Sequence, residues 1–230
     1  MSAERIERRL YFDIDKTVIN SDLLKQNIIS ALAEHCNVSK KIVASYLVGY
    51  QNSLLKSTDF DPKELAAYIA QHKTGFTTQQ LESVILNEKN FDDIVFSDFL
   101  STVTKISLTF AKNHLRVGTY SEGVKFWQEL KLLLAGIDGE FDGDLRIIRR
   151  RKLAAAVLEE LPEGSAVVDD KKEVVDTLAE ARPDIHPIWI NRNSKEVSSK
   201  TGVHTIFSLR ELSPLLKTLW LGSDQSTQAK

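Results

Sequence analysis

Two aspartates separated by one residue, Asp13-Ile14-Asp15, stand directly after an apolar burst, Leu10-Tyr11-Phe12. Carboxylates at i and i+2 point the same way while the chain stays extended. One can then attack phosphorus while the other handles protons. Further along, Ser121 closes an apolar run that begins at Leu115. Its hydroxyl, with the backbone amides that open the next helix from Glu122, can bind a phosphoryl oxygen. Lys152 is a cation able to neutralise a nucleophile and a phosphoryl group. Asp169-Asp170 closes the run Ala166-Val167-Val168 and is a carboxylate pair suited to a hard cation such as Mg²⁺.

These residues meet only if the elements carrying them converge. A short apolar run ending in acids reads as a buried strand with its carboxyl end at a site. Leu10 and Ala166 each begin such a run, and Leu115, Leu145, Ile188 and Ile206 begin further strand-like runs. From Leu115 onward the runs alternate with helical stretches, over Glu122–Ala135, Lys152–Leu161, Lys172–Ala181 and Ser208–Leu219. That alternation predicts an α/β fold with a doubly wound parallel sheet, whose strand ends share one crevice. Between the first strand and Leu115 the pattern is helical throughout. Asp61-Pro62 and the pair Thr77 and Gln80 mark helix starts, and Phe91–Lys112 reads as one long helix. The expected organisation is a core over residues 1–20 and 113–221, an all-helical cap over 21–112, and a disordered polar tail over 222–230.

Composition excludes some classes. A formal net charge of -2 gives no reason to expect a nucleic-acid partner. A single cysteine, Cys36, allows no intrachain disulfide. No apolar run approaches the roughly 18 residues that a membrane span needs, and Met1–Arg9 has no apolar leader-like stretch. The expectation is a soluble, cytoplasmic protein with no membrane partner. The five histidines have no metal-ligand spacing.

Taken together the motifs resemble the haloacid dehalogenase superfamily, in its phosphatase branch with a helical cap. The resemblance rests on Leu10-Tyr11-Phe12-Asp13-Ile14-Asp15-Lys16-Thr17, on Val117-Gly118-Thr119-Tyr120-Ser121, on Lys152, and on Val167-Val168-Asp169-Asp170, in that order. It runs from about Leu10 to about Leu215 and departs from the usual first motif at Lys16, where glycine is common. It implies that Asp13 attacks phosphorus to give an aspartyl-phosphate and that Asp15 protonates the leaving oxygen and then activates water. Ser121 and Lys152 would stabilise the transferred group, with Glu122 at the same phosphate-binding turn. Mg²⁺ would sit among Asp13, Asp15 (through its carbonyl), Asp169 and Asp170. Dehalogenating members of the family lack an acid at the position of Asp15. The implied activity is hydrolysis of a small phosphorylated metabolite. A phosphomutase or phosphotransferase can use the same residues, and so can a non-catalytic binding protein on the same scaffold. A receiver domain also uses acids, a hydroxyl and a lysine, but has its acid pair after the first strand and no long helical insert.

Single residues also have plainer readings. Ser121 suits a helix N-cap, Lys152 a solvated helix residue, and Asp169-Asp170 a helix start. Arg149, Arg150 and Arg151 precede Lys152, and any of the four can serve as the cation. Lys152 is preferred because it opens the helix leading to the Asp169 strand.

Overall fold

Leu10, Tyr11 and Phe12 have almost no accessible surface. A strand covered on both faces needs a continuous apolar run, which is the signature of a buried parallel sheet. In the computed structural model, which describes residues 7–73 and 75–222, this run lies in β1 (Arg8–Phe12). It pairs in parallel with β2 (Leu115–Glu122) on one side and β4 (Ala166–Asp169) on the other. The chain extends the sheet from β2 to β3 (Arg146–Arg149), and from β4 through β5 (His186–Ile190) to β6 (His204–Ile206). The order is β3-β2-β1-β4-β5-β6, all parallel. The winding direction therefore reverses between β1 and β4, where open α/β sheets form their ligand crevice. Asp13 leaves β1 at that point and Asp170 leaves β4.

The helices between β1 and β2 are α1 (Ser21–His35), α2 (Lys40–Ser53), α3 (Pro62–His72), α4 (Thr78–Ile85) and α5 (Phe99–Thr109). The expected starts are present. Asp61 accepts from the Lys63 and Glu64 amides, and Thr77 and Gln80 form a reciprocal capping box. The linkers into and out of this insert are stitched together. Asn20 N donates to Ile94 O at 2.7 Å, Phe96 N donates to Val18 O at 3.0 Å, and Ile19 bridges Val95 in antiparallel fashion.

That stitching breaks the single helix expected over Phe91–Lys112. The chain forms a 3-10 turn at Glu88–Phe91 and takes a left-handed φ of 57° at Asp93. It runs extended through Val95, and becomes helical only at Phe99. The apolar spacing is real, but pairing with Ile19 overrides it. The expected cap over 21–112 also includes one helix that sits on the sheet. Phe99 of α5 meets Phe12 edge-on at 5.6 Å and stacks on Phe141 at 5.7 Å. Phe110 meets Trp220 at 5.2 Å, and Trp220 lies in α9 (Leu212–Leu221).

The remaining helices are α6 (Lys125–Leu134), α7 (Ala155–Leu158) and α8 (Lys172–Ala181). Two differ from expectation in ways that matter for the site. α6 starts at Lys125 rather than Glu122. Glu122 still pairs with Arg149 in the sheet, and Gly123, at a φ of 145° that side chains rarely adopt, donates its amide to Arg149 O. α7 is a single turn, so Lys152 lies in the turn before it and does not open a helix. The Tyr120 hydroxyl donates to the Lys152 carbonyl and Ala154 is extended, which fixes that turn outside the helix. The last helix begins with a 3-10 turn at Leu209–Glu211 under a reciprocal capping box of Ser208 and Glu211. Of the expected tail, residues 223–230 lie outside the described residues, as do residues 1–6. No helix among the described residues is long and apolar enough to cross a membrane.

Candidate active site

Asp13 follows β1, and its amide donates to Val168 O at 2.8 Å, which holds it against the end of β4. Lys152 reaches the same place from beyond β3. Its side chain is fully buried, and its Nζ donates to Asp13 Oδ1 at 2.8 Å and to Asp169 Oδ2. The three arginines before it turn elsewhere. Arg149 pairs with Glu160, while Arg150 and Arg151 both pair with Asp59, in the 3-10 turn Ser57–Asp59 between α2 and α3. Of the four cations, Lys152 alone touches Asp13 among the described residues.

Asp13, Asp169 and Asp170 each offer a carboxylate oxygen within 4.8 Å of the others. Burial would lower the Lys152 pKa, but the charges of Asp13 and Asp169 outweigh it and keep the ammonium protonated. One ammonium cannot balance three carboxylates. Asp169 is ion-paired, and Asp170 Oδ1 is buried without a hydrogen-bond partner. The two acids share the excess: burial, against the charge of Lys152, pushes the Asp169 carboxyl up to about 6, and Asp170, without a cation of its own, is pushed further. Burial, then Asp13, then Asp169 push its carboxyl up to about 7. A buried all-oxygen donor set with surplus negative charge fits a hard divalent cation.

The pH consequence has a definite sign. A folded-state pKa raised from the ordinary 3.8 to about 7 contributes stability below the lower value, and this is lost as pH rises through the upper one. The metal-free protein should lose stability between those two values, and a divalent cation should compete with the proton there. Thermal melts with Mg²⁺ and with EDTA should show a larger Mg²⁺-dependent rise in Tm at pH 8 than at pH 5. At Mg²⁺ near a hundred times its Kd the gain is about 2.7 kcal/mol. An equal rise at both pH values would refute the assignment of Asp170.

Asp15 does not share this cluster. The chain fails to stay extended after Asp13. Val18 N and Ile19 N both return to Ile14 O, and Lys16 has a φ of 61°. The Asp15 carboxylate accepts from Lys131 Nζ at 2.5 Å, from Gln128 Nε2 at 2.9 Å and from the Ser21 hydroxyl. Burial alone would raise its pKa, but the Lys131 charge and these hydrogen bonds hold it at about 2. The expected metal set of Asp13, Asp15, Asp169 and Asp170 thus contains three clustered carboxylates. Any contribution from Asp15 would come from its carbonyl.

The phosphate-binding expectations at Ser121 and Glu122 divide. The Ser121 hydroxyl is buried with no hydrogen-bond partner, as are those of Thr17 and Thr119. Most buried polar groups have a partner, protein or water, and of these three hydroxyls Ser121 lies at the end of β2 beside β1. The Glu122 carboxylate instead approaches Arg151 at 3.9 Å and Lys56 at 4.0 Å, and the next amide is used within the sheet. Glu122 borders a cavity of about 360 Å³ whose floor includes Asp13, Asp15 and Asp170.

Lys131 is the residue that sequence reading missed. It is almost fully buried on α6, one turn after Trp127. A lysine within the apolar run Leu130–Ala135 looked like an interruption. Its i+4 spacing from Trp127, and i+3 from Gln128, was the signal that it shares their inward face.

No protein-family model and no curated protein sequence matches the chain. Solved structures do. A protein from Burkholderia xenovorans LB400 assigned as a haloacid dehalogenase-like hydrolase superposes with a TM-score of 0.66 at 16% identity, covering 93% of this chain and 98% of its own. The fold is that of the haloacid dehalogenase-like hydrolases. The HAD-hydrolase YfnB from Bacillus subtilis, in a magnesium-bound form, gives 0.59 at 15% identity over 92% of this chain and 99% of its own. The L-2-haloacid dehalogenase from Xanthobacter autotrophicus gives 0.58 at 12% identity, over 92% and 98%. Within the haloacid dehalogenase-like fold, Asp13, Lys152, Asp169 and Asp170 meet at the β1–β4 switch point.

Proposed function

We propose that the chain is a Mg²⁺-dependent phosphohydrolase of small phosphorylated metabolites, working through an aspartyl-phosphate on Asp13. The observation that carries this reading is the placement of Asp13. It faces the cavity, has Lys152 on one carboxylate oxygen, and stands among two further carboxylates suited to a cation. Lys152 takes Asp13 Oδ1, which leaves Oδ2 to attack phosphorus. As the Asp13–phosphorus bond forms, the bond to the leaving oxygen breaks and that oxygen takes a proton. Water then attacks phosphorus, gives up a proton, and releases phosphate and the Asp13 carboxylate. Asp15 and Lys131 form the proton-handling pair. The carboxylate is ionised, so the proton for the leaving oxygen comes from the Lys131 ammonium through Asp15, and Asp15 then accepts the proton of the attacking water and returns it to Lys131. Ser121 Oγ is an uncommitted buried hydroxyl suited to a phosphoryl oxygen. Held by Asp13, Asp169 and Asp170, Mg²⁺ would offset repulsion between the acids and the phosphate.

Some proteins of the same fold are dehalogenases. Asp15 favours phosphate chemistry here, because the family resemblance associates dehalogenation with the lack of an acid at that position. The test is steady-state hydrolysis of p-nitrophenyl phosphate with Mg²⁺ and with EDTA, alongside 2-chloropropionate. The reading expects Mg²⁺-dependent release of p-nitrophenol and no chloride. Metal-independent chloride release would overturn it.

A further inference from the structure

The walls of the cavity bear on what is attached to the phosphoryl group. Above the aspartates, α1 supplies Leu24 and Ile28, α2 supplies Leu47, the end of the 3-10 turn Ser57–Asp59 supplies Phe60, α3 supplies Leu65, and α6 supplies Trp127. The aromatic part is continuous, because Trp127 lies 5.7 Å from Phe60; Phe91 backs Trp127 from the core at 6.0 Å. Hydrogen-bonding groups from the insert are Ser21, Asp22 and Lys25 on α1, and Gln51, Ser57 and Thr58, the last with a buried hydroxyl that has no partner. Of the four lysines in the lining, Lys16 and Lys131 are paired, with Asp22 and Asp15, and Lys25 and Lys171 are exposed to solvent. The volume, about 360 Å³, is at the small end for a ligand site.

We propose, resting on the phosphohydrolase reading above, that the substrate is a monoester with a compact and mainly apolar leaving group, aryl or short branched alkyl. A polyhydroxylated sugar does not suit this wall. Each sugar hydroxyl buried against leucine or tryptophan would lose its water without gaining a partner. An alkyl or aryl group loses nothing by the same burial and gains contact along the whole wall. Gln51, Ser57 and Thr58 can serve polar substituents on their own side of the cavity, not those turned to the leucines and Trp127.

The experiment compares kcat/KM, with Mg²⁺, for 3-methylbutyl phosphate and phenyl phosphate against glycerol 2-phosphate, ribose 5-phosphate and glucose 6-phosphate. The pair 3-methylbutyl and glycerol phosphate is decisive. The alcohol of glycerol is the better leaving group, so intrinsic reactivity runs against the expected result. The branched alkyl ester should be preferred by about 100-fold, the scale on which an apolar pocket discriminates. Turnover of the polyol esters within tenfold of the alkyl ester, or above it, overturns the inference and leaves the phosphohydrolase reading standing. Should no ester be hydrolysed, that reading fails separately, and thermal melts decide the substrate class. 3-Methylbutylphosphonate should then raise Tm more than inorganic phosphate does, and an equal or smaller rise overturns the inference.

Discussion

Asp13→Asn is expected to abolish turnover while leaving the protein as stable as before, or more so. Its activity on p-nitrophenyl phosphate should fall by about 10⁴-fold or more, the scale seen when a nucleophile is removed. An amide cannot form the aspartyl-phosphate directly, and Lys152 and the metal cannot compensate. The stability expectation comes from the charge count. Asp13, Asp169 and Asp170 crowd within 4.8 Å, with one ammonium among them. Asparagine keeps an oxygen for Lys152 and removes one of the three charges. Asp170 loses the second largest of the influences that raise its pKa. In EDTA the denaturation midpoint should stay level or rise, and the Mg²⁺-dependent gain in Tm should shrink. Retention of more than a few per cent of wild-type activity would remove Asp13 from the role of nucleophile.

Lys152→Met should act in the opposite direction on stability. Lys152 is fully buried and bonded to two carboxylates. Removing one partner of such a network leaves uncompensated charge in the interior and costs about 3–5 kcal/mol. Loss of transition-state charge stabilisation should lower turnover by about 10²–10³-fold. Two rescues follow from the same charges. Mg²⁺ should restore part of the lost stability, as the remaining cation at the site. Acid should do so as well. The orphaned carboxylates would have pKa values above their unfolded ones, so stability gained by protonation is present at low pH and lost as pH rises. Chemical denaturation of wild type and variant at pH 5 and pH 8 measures this. A variant as stable as wild type at pH 8 would show that Lys152 does not balance the acids.

Much of the scaffold could be read because buried parallel strands leave a plain trace. Leu10-Tyr11-Phe12 and Ala166-Val167-Val168 are apolar at every position, and both run straight into acids. Asp61, Thr77 and Ser208 marked helix starts by side chains that satisfy backbone amides locally. The failures share a cause: contacts distant in sequence decided the outcome. The stretch Phe91–Lys112 has helical spacing, yet Val95 pairs with Ile19 across the insert. Leu153–Leu161 is rich in helix formers, yet a single turn forms because Lys152 is pulled into the sheet end. The acids of the site were legible, since each follows a strand. Lys131 and Asp59 were not. Nothing near Lys131 in sequence announces Asp15, and nothing near Asp59 announces Arg150 and Arg151.

The stitched linkers have a mechanical consequence. Residues 18–20 and 94–96 are hydrogen-bonded to each other, so neither can bend alone. The outgoing side is anchored directly beyond the ribbon. Asp98 accepts from Arg192, Ser208 and the Leu209 amide, and Arg192 also donates to Thr17 O. Helices α1 to α4 thus join the core through one short two-stranded axle whose far end is bolted to the last third of the chain, and through Asp59 against Arg150 and Arg151 and Phe60 and Phe91 against Trp127. A swing of the insert about that axle would have to part those contacts. Leu24, Ile28, Leu47 and Leu65 would travel as one plate, and their spacing from each other would survive while their distance from Asp13 changes. The shape that sorts substrates and the motion that admits them are therefore separable quantities in this molecule.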